Sequence, residues 1–233
     1  MRKAAEQAAS SLRDAILTGR IPAGARIAEM DVARQLSMSR TPIREALSYL
    51  AAEGLVELSP NRGARVMSWG PQELQEIFEL RLRLEPYAVR QAVPRLTGEH
   101  LAELDGLAQA MLAAGTPGRE QDLARVVDLN RQFHGLLVGL AGNPALAMAL
   151  TAVTHAAVVH RNFQHYGPGA LARSLAHHLE IVEAARAGQP AWAEAVMRSH
   201  LYNARATMLP AEAADAAKEP GTSDAPEPAE VGR

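Results

Sequence analysis

The chain has 233 residues, of which 48% are hydrophobic and only 4% aromatic, with a formal net charge of −2 and no cysteine. That length suits two modest domains with buried cores. The absence of cysteine excludes disulfides, thiolate nucleophiles and thiolate metal ligands, so a metal site must use His, carboxylates or amides. Few aromatics beside abundant Ala and Leu favour helices over a β-sandwich. No apolar run is long enough for a bilayer, and the N-terminus turns polar and helical too soon for a signal peptide. A cytoplasmic protein without a membrane partner is therefore expected. Charge is uneven: residues 1–68 carry +3, residues 69–209 carry −1 and residues 210–233 carry −4. The basic part is where a polyanion could dock.

In chain order, Ala8, Leu12, Ala15 and Ile16 define the buried face of a helix over residues 4–18, ended by Gly19. A short helix runs from Glu29 to Leu36. The break Ser37-Met38-Ser39 leads into a helix from Arg40 to Glu53, with Pro42 in its first turn and Ser39 or Thr41 as cap. Ile43, Ala46, Leu47 and Leu50 form its apolar stripe. Two short alternating runs around Pro60-Asn61-Arg62-Gly63 predict a β-hairpin. Past Ser68-Trp69-Gly70-Pro71, helices are predicted over 71–93 (bent at Pro86), 98–114, 119–141, 144–165, 169–187 and 190–208, separated by Pro/Gly punctuation. The expected fold is mainly α. A winged helix-turn-helix over 1–68 precedes an all-helical bundle over 69–209, then a disordered acidic tail over 210–233.

A short helix, a tight turn and a second helix with basic residues in its first turn is the geometry for major-groove insertion. Arg40 and Arg44 are four apart and share the face opposite the apolar stripe. An Arg fork reads guanine or clamps phosphate. Ser39 and Thr41 stand at the helix N-terminus, where the dipole favours anions. Asn61, Arg62 and Arg65 would form a wing beside the backbone. Spacing alone leaves this reading level with a solvated amphipathic helix that carries stray arginines.

The residues Ile27-Ala28-Glu29, Val32-Ala33-Arg34-Gln35-Leu36, Ser39-Arg40-Thr41-Pro42-Ile43-Arg44-Glu45-Ala46-Leu47, Glu53-Gly54-Leu55-Val56 and Asn61-Arg62-Gly63 resemble the GntR-family winged helix-turn-helix. The resemblance runs through residues 8–66. It implies double-stranded DNA as partner, contacted by Arg34, Ser39, Arg40, Thr41, Pro42, Arg44, Asn61, Arg62 and Gly63. Met30 departs from the pattern: many relatives carry a DNA-contacting Arg there.

In the second part, Asn130 and His134 lie one turn apart on the stripe Leu123, Val126, Val127, Leu137, which is chelating geometry. His178 lies on the stripe Leu171, Leu175, Val182, Ala185, and His200 on Ala193, Val196, Met197, Ala204. Three imidazoles and an amide from three helices can converge on one ion, as bundle cores allow. The alternative is separate core histidines satisfied by backbone carbonyls. His155, His160, His165 and His177 compete for the same role. His160 shares a stripe with Leu146, Leu150, Val153 and Ala157 and could line the same cavity. Arg81 falls on the stripe Leu74, Ile77, Leu84, Ala88. A buried Arg needs an anion, either a neighbouring Glu or a ligand carboxylate.

Glu79-Leu80-Arg81, Leu84-Glu85, Phe133-His134, Gly142-Asn143-Pro144, His178 and Met197-Arg198-Ser199-His200-Leu201 resemble the FCD effector domain of the FadR subfamily, over residues 71–209. In its metal-binding members an Asp or Asn and three His hold these places. The common form has Asp where this chain has Asn130. A neutral amide leaves the centre more positive and favours an anionic effector. The implied protein is a homodimeric, ligand-responsive repressor on a palindromic operator. Its bundle holds a divalent ion (zinc, with nickel or manganese as alternatives) and a small organic acid, met by Arg81 and His160. The competing class is a metal-dependent hydrolase built on His134, His178 and His200, for which no general base is evident. Asp128 and Glu180 each stand two residues from a ligand and should point elsewhere.

Overall fold

The computed structural model describes residues 2–59, 63–154 and 166–209. The N-terminal part is α1 (Arg2–Leu17), β1 (Arg26–Ile27), α2 (Glu29–Gln35), α3 (Arg40–Ala52), β2 (Val56–Ser59) and β3 (Gly63–Val66). Its core gathers Ala8, Leu12 and Ile16 of α1, Val32 of α2, and Ile43, Leu47 and Leu50 of α3 against Ile27, Val56 and Val66 of the sheet. The apolar periods read from sequence are thus the faces that meet. Fully burying a Leu such as Leu50 contributes about 1.5–3 kcal/mol.

The hairpin is part of a three-stranded antiparallel sheet in the order β1-β3-β2. The strand β1 went unpredicted because two residues carry no readable alternation. It pairs Arg26 with Arg65 and Ile27 with Ala64. Gly63 makes the pairing possible. It has φ of 87°, and a Cβ there would lie 2.1 Å from the Ile27 carbonyl oxygen. No side chain fits that approach.

The C-terminal part comprises α4 (Pro71–Ala92), a 3-10 turn (Val93–Arg95), α5 (Gly98–Gly115), α6 (Leu123–Leu140), α7 (Pro144–Val153), α8 (Pro168–Arg186) and α9 (Pro190–Met208). Helix α4 packs on α9, α9 on α8, α5 on α6 and α8, and α4 also on α6 and α7. Phe78, Leu104, Met111, Phe133, Leu137, Ile181 and Leu201 are among the fully buried side chains. Two boundaries differ from expectation by more than two residues. Helix α6 starts at Leu123 rather than 119, because the Asp122 carboxylate caps it by accepting from the Arg125 N–H at 2.9 Å. Helix α7 ends at Val153, where β-branched Thr154 leaves helical geometry. Residues 155–165 and 210–233, and the readings made on them, lie outside the described residues.

Helix α4 continues through buried Pro86. Proline has no N–H for the carbonyl four residues earlier, that of Leu82. Arg198 of α9 supplies the missing donor, with Nη1 3.1 Å from the Leu82 oxygen, while Nη2 pairs with Glu194 at 3.1 Å. A defect in one helix thereby becomes a dock for the helix that carries His200.

Candidate functional site

The turn between α2 and α3 is tight because Ser37 takes φ of 53°, the left-handed region. It presents the first turn of α3 to solvent. Arg34, Ser39, Arg40, Thr41 and Arg44 are exposed there. Ser39 is the N-cap residue but makes no side-chain capping bond, so its hydroxyl is not spent within the helix. Arg34 lies a loose 3.8 Å from Asp31. Pro42 is buried, as is Gly63; both shape the surface rather than face it. Asn61 and Arg62 lie outside the described residues. Arg65 is exposed and donates to the Gly24 carbonyl at 2.7 Å. Met30, 59% exposed, places an apolar side chain where an Arg would add a cation.

Sequence reasoning gave no role to Glu29. Its carboxylate accepts from Arg40 Nη2 at 3.0 Å and from Arg44 Nε and Nη2 at 3.1 Å each. The Arg44 and Arg40 guanidiniums hold that carboxyl below the usual range. A contact across 15 residues between two helices leaves no periodic signal.

In the bundle, α6, α8 and α9 bring His134, His178 and His200 together, with one ligand atom of each within 4.8 Å of the others. Ring centroids are 4.6 Å apart for His178 and His200, 5.3 Å for His134 and His200, and 5.6 Å for His134 and His178. Each ring is oriented by its surroundings. His178 Nδ1 donates to the Ser174 carbonyl at 2.7 Å, which leaves Nε2 as a lone pair 3.0 Å from Asn130 Oδ1. His134 Nδ1 lies 2.9 Å from Glu85 Oε2 and donates to it, which leaves Nε2 as the ligating atom when the ring is neutral. That Nε2 is buried without a partner, and so is Nδ1 of His200. Unpartnered buried nitrogens are costly in a finished core, and clustered neutral imidazole nitrogens are donors that a divalent cation takes. These residues fit a metal ion.

Electrostatics agree. Burial holds the His178 imidazole down at about 3, with the neighbouring His134 adding to it. Burial, then His178 and His134, lowers His200 likewise. Neutral imidazole is the ligating form. His177 is half-buried, its ring 6.0 Å from that of His200, and it stands outside the three-histidine cluster. His155, His160 and His165 are not among the described residues.

Glu85 is the second residue that sequence reasoning underrated. It is 3% exposed and accepts from Arg81 Nε at 2.6 Å with one oxygen while holding His134 with the other. Burial alone would raise its pKa; Arg81 and His134 overcome that and hold it at about 2. The anion that Arg81 requires is therefore its own neighbour one turn away. Carboxylate, imidazole and metal in series is a recurrent supporting arrangement. With both oxygens engaged, Glu85 is no general base. Asp128 accepts from Arg131 and Gln132 and lines the same cavity as His134, and Glu180 accepts from Trp192, so both are engaged elsewhere in hydrogen bonds. A cavity of about 820 Å³ is lined by Arg81, Glu85, Asn130 and His134 on the bundle side and by Arg13, Glu53 and Leu55 on the other.

A three-helix head with a β-wing and a solvent-facing basic helix, joined to a helical bundle, defines a DNA-binding transcription regulator. Residues 4–66 match the bacterial regulatory proteins of the gntR family, and residues 76–203 match the FCD domain. The chain belongs to the GntR family, in its FadR-type branch with an FCD domain. A relative named "Probable D-xylose utilization operon transcriptional repressor", from Paenarthrobacter nicotinovorans, is 33% identical over 88% of this chain and 88% of its own length. The solved structure of E. coli McbR/YncC is similar with a TM-score of 0.66 and 25% identity, covering 85% of this chain and 93% of that one. A GntR transcriptional regulator from Rhodococcus sp. RHA1 gives 0.64 and 27%, covering 89% and 98%. Family and relatives are regulators rather than enzymes. Among the described residues, no helix is long and apolar enough to cross a membrane.

Proposed function

We propose that this regulator is a ligand-responsive repressor whose bundle binds a divalent metal ion and, through it, a small organic acid. The observation that carries the reading is the clustering of three imidazoles, a ligand atom of each within 4.8 Å of the others, with His134 Nε2 and His200 Nδ1 otherwise unpartnered. Asn130, His134, His178 and His200 would hold the ion, zinc being favoured by three imidazoles and nickel or manganese being alternatives. Once bound, the ion supplies a Lewis-acidic docking point for a carboxylate. The chain's own residues do the rest. Glu85 fixes the His134 ring, Arg81 fixes Glu85, and the Ser174 carbonyl fixes His178. Asn130 adds no negative charge, so the centre favours an anion. Arg81, although paired with Glu85 through Nε, also lines the cavity and is proposed to meet the far end of the acid; His160 is proposed for the same cavity.

At the head, Arg34, Ser39, Arg40, Thr41 and Arg44 would meet DNA, with Asn61 and Arg62 on the wing. One head offers a small reading surface, so a homodimer on a palindromic operator is proposed. The acid would shift the balance between DNA-competent and incompetent arrangements of the two heads. The test combines elemental analysis of protein purified without chelator with operator gel shifts across a panel of small organic acids. Metal in substoichiometric traces, with full release from DNA by an acid, would remove the metal from the reading. Sedimentation of the full chain at the monomer mass would remove the dimer.

A further inference from the structure

Glu29 opens α2, and its carboxylate lies beneath two arginines of α3. Its side chain is 11% exposed, whereas those of Arg40 and Arg44 are 58% and 65% exposed. The acid is thus part of the wall, and the cations stand in front of it. Packing between α2 and α3 does not depend on this contact, because Val32 and Ala33 meet the core beside Ile43 and Leu47. The carboxylate does two other things. It holds two long side chains in one geometry, and it cancels one of two adjacent positive charges.

The hydrogen-bond pattern has a direction. Arg44 spends Nε and one Nη2 hydrogen on Glu29. Its Nη1 hydrogens and the second Nη2 hydrogen remain, on the outward edge of the guanidinium. That edge supplies two parallel donors, the pair that guanine O6 and N7 accept in the major groove. A free arginine would sample many rotamers and meet phosphates as readily as bases. Exposed Met30 adds no cation that would draw the carboxylate away.

We infer that Glu29 is a specificity-determining positioning residue, which aims Arg44 and Arg40 at base edges and lowers the affinity of the head for DNA of the wrong sequence. The inference rests on the reading that Arg40 and Arg44 contact DNA. Binding to non-specific duplex depends on net charge. Glu29, Arg40 and Arg44 together carry a charge of +1; without the carboxylate they carry +2.

The test uses the full-length protein, a duplex selected by the wild type from a randomised pool, and a scrambled duplex of equal length. Affinities are measured by fluorescence anisotropy at several salt concentrations. Glu29→Gln should bind the scrambled duplex several-fold more tightly and the selected duplex about tenfold more weakly. Its salt slope on the scrambled duplex should steepen by about one ion. Glu29→Asp, which keeps the charge but is too short to reach both arginines, should lose selected-duplex affinity without gaining scrambled-duplex affinity. An unchanged or higher selected-to-scrambled ratio in Glu29→Gln overturns the inference. Equal loss on both duplexes also overturns it, since a merely structural residue would weaken both alike. Arg44→Ala is the separate arm: undiminished affinity for the selected duplex in that variant fails the DNA-contact reading itself, whatever Glu29 does.

Discussion

Nε2 of His178 faces Oδ1 of Asn130 across 3.0 Å, although both atoms are acceptors when the Nδ1–H of His178 donates to the Ser174 carbonyl. Two acceptors at that distance repel unless a cation lies beside both. Asn130→Asp should therefore tighten zinc binding about tenfold or more, because a carboxylate replaces an amide, and Asn130→Ala should weaken it. Competition against a chromogenic chelator measures both. If the contact were instead an amide donating to imidazole, Asn130→Asp would weaken binding, and that result removes Asn130 from the ligand set.

Glu85 couples Arg81 to His134, so its removal should have two separable consequences. Glu85→Gln leaves a buried guanidinium without its anion, which costs about 3–5 kcal/mol. It also releases the His134 ring, which should weaken metal binding about 10–100-fold. Adding Arg81→Met should restore most of the stability but none of the metal affinity. Thermal melts and chelator competition on the two variants read these apart. Recovery of metal affinity in the double variant would show that Glu85 acts on stability alone.

Metal removal should lower the Tm, because an ion that binds only the folded chain stabilises it by mass action. Dialysis against a chelator, then zinc, should lower and restore the melt. His200→Ala should melt at the same temperature with and without zinc. A chelator-induced shift that persists in His200→Ala places the ion elsewhere.

Arg198 donates to the carbonyl that Pro86 leaves open. Arg198→Ala should cost about 1–3 kcal/mol through that orphaned acceptor. Arg198→Ala combined with Pro86→Ala should cost less than the two changes summed, since replacing the proline brings back the missing N–H. Additive losses in denaturant unfolding would separate the two residues.

The depressed pKa of Glu29 has a sign that can be measured. Its carboxyl is held down by Arg44 and then Arg40, so the ionised form is favoured in the folded chain. The resulting stability is present above the unfolded value of about 4.3. It is lost as pH falls through the folded value. The Tm gap between wild type and Glu29→Gln should be flat from about pH 7 to about 5.5 and shrink below about 4.5. Added salt should narrow it at neutral pH, because both arginines are largely exposed. A gap that widens on acidification contradicts the assignment of the contact.

Much of this protein is determined by local sequence. The stripe Ile43, Ala46, Leu47 and Leu50 makes α3 amphipathic whatever surrounds it, and Pro42 and Gly54 set its ends. The same period places Asn130 and His134 on one side of α6, and His178 and His200 on the buried faces of α8 and α9. Periodicity fails where an element is too short to show it, as with β1, or where a side-chain cap overrides it, as Asp122 does for α6. It also says which face a residue occupies but not whom it meets there. The tertiary structure alone decided that Glu85 answers His134 as well as its helix neighbour Arg81, that Glu29 lies under Arg40 and Arg44, and that Arg198 mends the gap at Pro86. The physical reason is common to all three. Hydrogen bonds and ion pairs act through space over about 3 Å. Which groups come within that range is set by how helices 15, 49 or 116 residues apart pack together.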